Sequence, residues 1–319
     1  MSPVRLRTLL STLVALVAPA ALPAGSPGQQ VPDTTFVPRE IVSPWLRGEG
    51  PVLLLDEAHH NFHTVAGRYA AFARLASRTG FRVRPGRAPF TDSLLSGVRV
   101  LVIANALNAV NENGNWAAPN PSAFTPDEIA AVRRFVERGG GLLLVADHMP
   151  FGGAVEALGA AMGLQWLNGF AMDSARQGLF TATRASGLAT HAVTTGVRPA
   201  DRIDSLRIFT GSALRLLEPG EPLIALPPGM RVLMPDSAWA FSGRTQSVDG
   251  RGWLMGAARK VGRGRVVALG EAAMLSAQRQ GPRQRPMGFN DPTAPQNAQF
   301  AFNVMRWLSG EFDAPASRR

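Results

Sequence analysis

The stretch that decides the fold is Leu142-Leu143-Leu144-Val145-Ala146-Asp147-His148-Met149-Pro150-Phe151-Gly152-Gly153. Three glycines precede its apolar run, and an acid, an imidazole and a proline end it. A short apolar run framed by glycine and proline predicts a strand that is buried on both faces of a parallel sheet. Open α/β sheets bind ligands at the carboxyl ends of such strands. We therefore expect Asp147 and His148 to lie where a ligand would bind.

Other stretches have the same form. Val52 to Leu55 is followed by Asp56-Glu57-Ala58-His59-His60, and Val266 to Leu269 is followed by Gly270-Glu271. A further apolar run ends at Asn105. Carboxyl ends of parallel strands meet at one edge of a sheet, so these polar residues predict one shared crevice.

Helical segments alternate with these strands. Thr125-Pro126-Asp127-Glu128 predicts a capping box with proline in the first turn. We expect a helix capped by Thr64 that ends at Gly80, and a terminal helix that begins near Gln296 and ends at Gly310. The alternation predicts an α/β fold with a doubly wound, mainly parallel, flavodoxin-like sheet. Short β-like pieces between Leu164 and Trp253 predict a β-rich insertion, and Gly270 to Pro295 is expected to form a long loop.

The predicted organisation begins with a signal peptide. Arg5 and Arg7 precede the apolar run Leu9 to Ala18, and Ala18-Pro19-Ala20 offers a cleavage site. The run is shorter than the ~20 residues of a membrane span, so we expect no stable span. Export to the periplasm or the medium is predicted, with an uncleaved anchor as the alternative. The predicted division is a signal peptide over 1–24, a proline-rich linker over 25–50, an α/β domain over 51–309 and a disordered tail over 310–319.

Composition excludes several classes of function. The chain has no cysteine, which excludes disulfides, thiolate zinc sites and a cysteine nucleophile. Its 33 basic and 23 acidic residues give a net charge of +10, which raises the question of nucleic-acid binding. The arginines are scattered, Lys260 is the only lysine, and no arginine cluster alternates with aromatic residues. We therefore predict no nucleic-acid partner.

The segment Asp56 to Thr64 holds three of the five histidines. If it forms a helical turn, Asp56, His59, His60 and His63 share one face. His59 and His63 would then have the spacing of zinc-binding helical histidines, and Zn or Mn is the expected ion. The sequence lacks the full H-E-x-x-H motif. The alternative is that these side chains cap the next helix and join loops by hydrogen bonds.

The strand ends supply candidate catalytic residues. His148 is a candidate base or ligand, and Asp147, Asp56 and Glu271 are candidates to orient it or to bind substrate. Alternatively, Asp147 caps the next helix, and Glu271 pairs with a loop arginine. The candidate substrate-binding residues are polar or aromatic, and helix caps and turns are their alternative roles: Glu57, Asn61, Asn105, Trp116 and Asn297.

With these residues in view, the chain resembles a bacterial family with a class I glutamine-amidotransferase-like fold. That fold is shared with trehalose-utilisation-type domains and with amidotransferase-like domains of intraflagellar transport proteins. The resemblance covers nearly all of 51–309. It rests on DEAHHNFHT (56–64), on the capping box at 124–128 with GGGLLLVADHMPF (139–151), on GRGRVVALGEAAMLSAQ (262–278) and on the terminal helix.

The resemblance implies a catalytic cysteine on the elbow after the central strand and a later His-x-Glu pair. Here Asp147-His148 stands on the elbow, and the sequence contains neither cysteine nor His-x-Glu. Glutamine hydrolysis by a thiolate is therefore excluded. Two functions remain open: a hydrolase or lyase acting on a small polar or carbohydrate substrate, with a divalent metal if the histidines bind one, and an inactive module that binds carbohydrate or cell-envelope material. A structural role is the third alternative.

Overall fold

A computed structural model describes residues 30–173 and 178–313. The predicted signal peptide, the first five residues of the predicted linker and the end of the predicted tail lie outside these ranges. In the part of the chain that is described, no helix is long and apolar enough to span a membrane.

Strands outnumber helices in the described residues. The strands are β1 (Gln30–Pro32), β2 (Val52–Asp56), β3 (Arg82–Gly86), β4 (Val100–Ala104), β5 (Gly141–Val145), β6 (Leu164–Trp166), β7 (Phe170–Met172), β8 (Phe180–Thr183), β9 (Ser205–Ile208), β10 (Leu214–Leu216), β11 (Glu221–Ala225), β12 (Arg231–Met234), β13 (Gln246–Asp249), β14 (Leu254–Val261), β15 (Gly264–Leu269), β16 (Ala277–Gln280) and β17 (Arg285–Gly288). The helices are α1 (Ala70–Arg78), α2 (Pro126–Glu137), α3 (Phe151–Ala161), α4 (Ala192–Thr195) and α5 (Asn297–Ser309).

The main sheet of the described residues has nine strands in the order β3-β2-β4-β5-β15-β14-β10-β6, with β11 also paired to β14. The strands β3, β2, β4, β5 and β15 run parallel to one another. The remaining strands pair antiparallel with their neighbours, and a tight turn at Gly262 reverses the chain between β14 and β15. The α/β fold is confirmed, but the sheet is mixed rather than mainly parallel.

Helices cover both faces of the parallel strands. Leu53 and Leu55 face a core that contains α1 and α5, whereas Leu54 faces a second core with α2 and α3. Side chains of a strand alternate between faces, so a strand covered on both sides must be apolar throughout. All residues of β2, β4 and β5 are buried, as their apolar sequences predicted.

The predicted capping box forms at the start of α2. Thr125 Oγ1 accepts a hydrogen bond from the Glu128 backbone N–H, and Glu128 Oε2 accepts one from the Thr125 backbone N–H at 3.0 Å. The terminal helix ends at Gly310, which has the left-handed conformation expected of a glycine C-cap.

Several predicted boundaries are wrong. Helix α1 begins at Ala70 rather than beside Thr64, because the intervening residues form a turn in which the Val65 N–H donates to Glu57. The predicted loop at 270–295 contains β16 and β17.

Both predicted flexible segments are partly structured. β1, inside the predicted linker, pairs with β16. Within the predicted disordered tail, Glu311–Asp313 forms a 3-10 helix, where Arg306 Nε donates to Glu311 at 2.7 Å. Short sequences give weak periodic signals, and these pairings join residues far apart in the chain.

Candidate functional site

A cavity of about 650 Å³ lies at the carboxyl ends of the parallel strands. It brings together six of the residues singled out in the sequence, namely His63, Asn105, Trp116, Asp147, His148 and Glu271. The other candidates do not line it, namely Asp56, Glu57, His59, His60, Asn61 and Asn297. The predicted shared crevice therefore forms, with about half of its predicted residues.

Asp147 follows β5 and is held by the end of the neighbouring strand. The Asp147 N–H donates to Asn105 Oδ1 at 2.9 Å, and Asn105 has a φ of 49°, which is unusual for a residue other than glycine. Asp147 Oδ1 accepts the His148 N–H at 2.8 Å. The carboxylate thus orders the first turn after the strand and lines the cavity. It does not cap the next helix, which the alternative expected, because Pro150 is the N-cap of α3 and no side chain caps that helix.

His148 presents one ring nitrogen for proton transfer. Its Nδ1 lies 2.7 Å from the carbonyl oxygen of Met149 and must donate to it, since a carbonyl only accepts. When the ring is neutral, its proton is therefore on Nδ1 and the lone pair is on Nε2. Phe170 stacks on the ring at 4.6 Å, and Trp239 meets it edge-on at 4.8 Å, which fixes its orientation.

Glu271 is fully buried at the end of β15. Its two carboxylate oxygens accept the backbone N–H groups of Ala273 and Met274 at 2.7 and 2.8 Å. The arginine pairing considered from the sequence does not occur: among the described residues, no arginine forms an ion pair with Glu271. Backbone donors of the following 3-10 turn (Ala273–Leu275) hold this carboxylate instead.

The pKa values of the two buried acids of the cavity are both raised. Burial raises the pKa of Glu271 well above its ordinary value, and the charge of Asp147 adds to the shift. Burial also raises the pKa of Asp147, although the charge of His148 and several hydrogen bonds oppose it. Perturbed acids in a cleft are a common property of functional sites.

His63 lies in the cavity wall with neither ring nitrogen hydrogen-bonded to a described residue. The side chain is nearly fully buried and packs edge-on against Tyr69 at 4.6 Å. Burial, together with the charges of Arg68 and His148, holds the pKa of His63 well below its ordinary value. A neutral imidazole offers one donor and one acceptor, and neither is used within the described residues.

Both ring nitrogens of His59 are hydrogen-bonded to carboxylates that do not line the cavity. Its Nδ1 lies 2.9 Å from both carboxylate oxygens of Asp56, and its Nε2 lies 2.8 Å from Oε1 of Glu128. Burial alone would lower the pKa of His59, but the hydrogen bonds and charges of Asp56 and Glu128 raise it. The ring is an imidazolium that links two carboxylates.

The predicted metal-binding face does not form. Residues 57–69 are not helical, and the exposed His60 pairs with Glu112 at 3.0 Å. His59, His60 and His63 therefore point to different partners. Within 30–173 and 178–313, no three His, Asp or Glu side chains are grouped so that they could hold a metal ion.

The remaining candidates have local roles, as the alternatives expected. Glu57 accepts the Val65 N–H at 2.8 Å and pairs with Arg87. Asn61 bridges Asp56 and the backbone of His59. Asn297 is buried and bonds the backbone of Arg207 and Met274. These side chains hold loops around the cavity without reaching it.

Several cavity residues were missed in the sequence. They come from segments without strand-end signals, namely Gln30, Phe62, Arg68, Phe209, Thr210, Trp239, Gln278, Gln280 and Met287. Gln30 lies in the predicted linker, and Gln278 and Met287 lie in the predicted loop. Trp239 is half exposed and has a φ of 67°. Large exposed aromatic residues often mark binding surfaces, so this residue type could have indicated the site.

Comparison with known proteins supports the fold. No protein-family model matches the chain, and no curated protein matches it significantly. The mmIFT52 N-terminal domain is similar, with 12% identity and a TM-score of 0.55 over 81% of this chain and 97% of that one. A putative ThuA-like protein from Bacteroides uniformis ATCC 8492 has 15% identity and a TM-score of 0.44, covering 85% of this chain and 93% of its own.

A putative GMP synthase protein from Thermoplasma acidophilum has 8% identity and a TM-score of 0.38, covering 82% of this chain and 96% of its own. The structural neighbours thus include the kinds of protein that the sequence resemblance named. The likeness to the mmIFT52 domain shows a shared fold and, at 12% identity, says nothing about activity.

Proposed function

We propose that the protein is a hydrolase or lyase that acts on a carbohydrate bound in this cavity. The observation that carries the proposal is the meeting of Asp147, His148 and Glu271 in one cavity with aromatic walls. We place this site on a doubly wound, flavodoxin-like unit formed by the parallel strands and the helices on their two faces.

The walls suit a sugar. Trp116 and Phe151 lie 5.6 Å apart edge-on, and Trp239 stands beside His148 on the other side of the same aromatic cluster. Ligand pockets combine apolar rings with a few polar groups that fix orientation. The side chains of Gln30 and Gln280 line the same cavity, and their amide groups can donate hydrogen bonds to sugar hydroxyls and accept hydrogen bonds from them.

The polar groups suit acid–base catalysis. Burial raises the pKa of both Asp147 and Glu271, and a carboxyl group of the pair that holds a proton can give it to a leaving oxygen. His148 Nε2 carries a lone pair and can accept a proton from water or from a sugar carbon. A carboxyl pair and an imidazole in one cavity thus supply candidate groups for an acid and a base.

Turnover of a saccharide panel tests the proposal, with release of reducing ends for hydrolysis and ultraviolet absorbance of an unsaturated product for elimination. Asp147→Asn and His148→Asn should each lower the rate by about 100-fold to 10,000-fold. His60→Asn is the matched control, because His60 lies outside the cavity. Wild-type rates in both cavity variants would contradict the proposal. Metal content of the same protein tests the expected Zn or Mn.

A binding module is the second candidate. Glu271 favours it, because both carboxylate oxygens already accept backbone hydrogen bonds, as in a purely structural cap. This candidate predicts saccharide binding without turnover, and it predicts that His148→Asn changes affinity alone.

We also propose that the protein is exported, because Arg5, Arg7 and the apolar run that follows them have the form of a signal peptide. N-terminal sequencing of protein recovered outside the cytoplasm tests this. A mature chain that starts after residues 18–24 supports cleavage, and a chain that starts at Met1 contradicts it.

A further inference from the structure

Arg68 is a half-buried cation at the cavity that has no counter-ion among the described residues. Its amino groups donate only to backbone carbonyls, at 3.5 Å to Phe62 and 3.1 Å to Gln30. Its Nε is buried and unpartnered, and the guanidinium lies 3.8 Å from the centroid of the Phe62 ring. The positive charge is therefore desolvated without an anion to compensate it.

Arg68 differs from other half-buried arginines by its place at the cavity, because Arg74 and Arg207 also lack an ion pair with a described residue but do not line the cavity. Each arginine that is fully buried pairs with a carboxylate, as Arg259 does with Glu218, Arg265 with Asp313, and Arg306 with Asp201 and Glu311. A buried charge is costly unless it is paired, so a cation left without a partner at a cavity favours an anionic ligand.

The acids of the cavity do not oppose such a ligand. Asp147 and Glu271 form no ion pair with Arg68, and burial raises the pKa of each toward the neutral form. A neutral carboxyl group does not repel an incoming anion, and it can donate a hydrogen bond to it.

We infer that Arg68 binds a carboxylate of the ligand, so that the substrate is an acidic sugar of the uronic acid class. This inference rests on the proposed function. The planar guanidinium matches a carboxylate in shape, and the aromatic walls accommodate the sugar ring.

Of the two proposed reaction types, hydrolysis and elimination, an acidic sugar selects elimination. Neutralisation of its carboxylate by Arg68 makes the proton on the adjacent ring carbon more acidic. His148 Nε2 removes that proton, the electron pair forms a carbon–carbon double bond, and the neighbouring carbon–oxygen bond breaks. The leaving oxygen takes a proton from the Asp147–Glu271 pair. The reaction is a β-elimination and needs no further reactant.

Calorimetric binding to the full chain tests the inference, with glucuronate and galacturonate compared with glucose and galactose. We expect the uronates to bind about 10-fold to 100-fold more tightly, which corresponds to a charge-assisted hydrogen bond. Arg68→Gln should abolish that preference, and Arg68→Lys should restore part of it. Arg87→Gln is the control, because Arg87 is exposed and pairs with Glu57 outside the cavity.

The outcomes separate the two proposals. Equal affinity for uronates and neutral sugars would overturn the inference and leave the carbohydrate site standing. Binding of inorganic phosphate alone, or of none of these probes, would overturn both. If Arg68→Gln fails to fold, the affinities of the wild-type protein for uronates and for neutral sugars still test whether the site prefers an acidic sugar.

Discussion

Nε2 of His59 lies 2.8 Å from Oε1 of Glu128 and so joins the loop after β2 to the N-terminus of α2, 69 residues later. The same ring binds Asp56 through Nδ1, and the Glu128 carboxylate also accepts the Phe90 N–H at 3.0 Å. Although burial alone would raise it, hydrogen bonds from Thr125 and His59 lower the pKa of Glu128. The histidine that looked like a metal ligand in the sequence is a structural link beside the cavity.

Replacing His59 should lower the stability of the folded protein. His59→Asn leaves two buried carboxylates without their shared cation, and we expect a loss of about 3–5 kcal/mol in the free energy of unfolding. His60→Asn is the matched control, with an expected change within about 0.5 kcal/mol, because His60 is exposed and asparagine tolerates its positive φ. Urea unfolding measures both, and equal effects would contradict the structural role.

The same link predicts a pH dependence. The folded-state pKa of His59 is raised above its unfolded value, so its stabilising effect is fully present below about pH 6.5. It is lost as the pH rises through the folded-state pKa. The stability difference between wild type and His59→Asn should therefore shrink between about pH 6 and about pH 9. A difference that stays constant over this range would show that the ring is neutral in the folded protein.

The stability of the folded protein should also depend on pH through Glu271, at lower pH than through His59. Its raised pKa means that its stabilising effect is present below its unfolded value of about 4.3 and is lost as the pH rises toward the folded-state pKa. Glu271→Gln removes this titration, so the stability of the variant relative to wild type should increase with pH above about 4.3. A flat profile for Glu271→Gln would contradict the raised pKa.

The strands and the edge that holds the cavity could be predicted from the sequence. Apolar runs that end in Asp147 and Glu271 have one physical explanation, since strands buried on both faces must be apolar and polar side chains can begin only at their ends. The capping box at Thr125 is equally local, because the spacing of its two partners along the chain determines its geometry.

The sequence alone could not show which histidine faces the cavity. Whether His59 or His63 faces the cavity depends on an irregular loop and on a partner, Glu128, that is remote in sequence. Gln30 was missed for the same reason, because its place at the cavity depends on the pairing of β1 with β16. Loop conformation and long-range pairing leave no periodic pattern in the sequence.

The left-handed backbone of Asn105 predicts losses of stability of different size for two small replacements. Asn105→Ala loses the hydrogen bond to the Asp147 N–H and places a Cβ residue at a φ of 49°, so we expect a cost of about 2–4 kcal/mol. Asn105→Gly loses the same hydrogen bond but adopts this backbone freely, and it should cost about 1–2 kcal/mol less than alanine. Urea unfolding of both variants measures the difference. If alanine proves as stable as glycine, the side chain rather than the backbone conformation decides this position, and the turn that presents Asp147 to the cavity carries no strain.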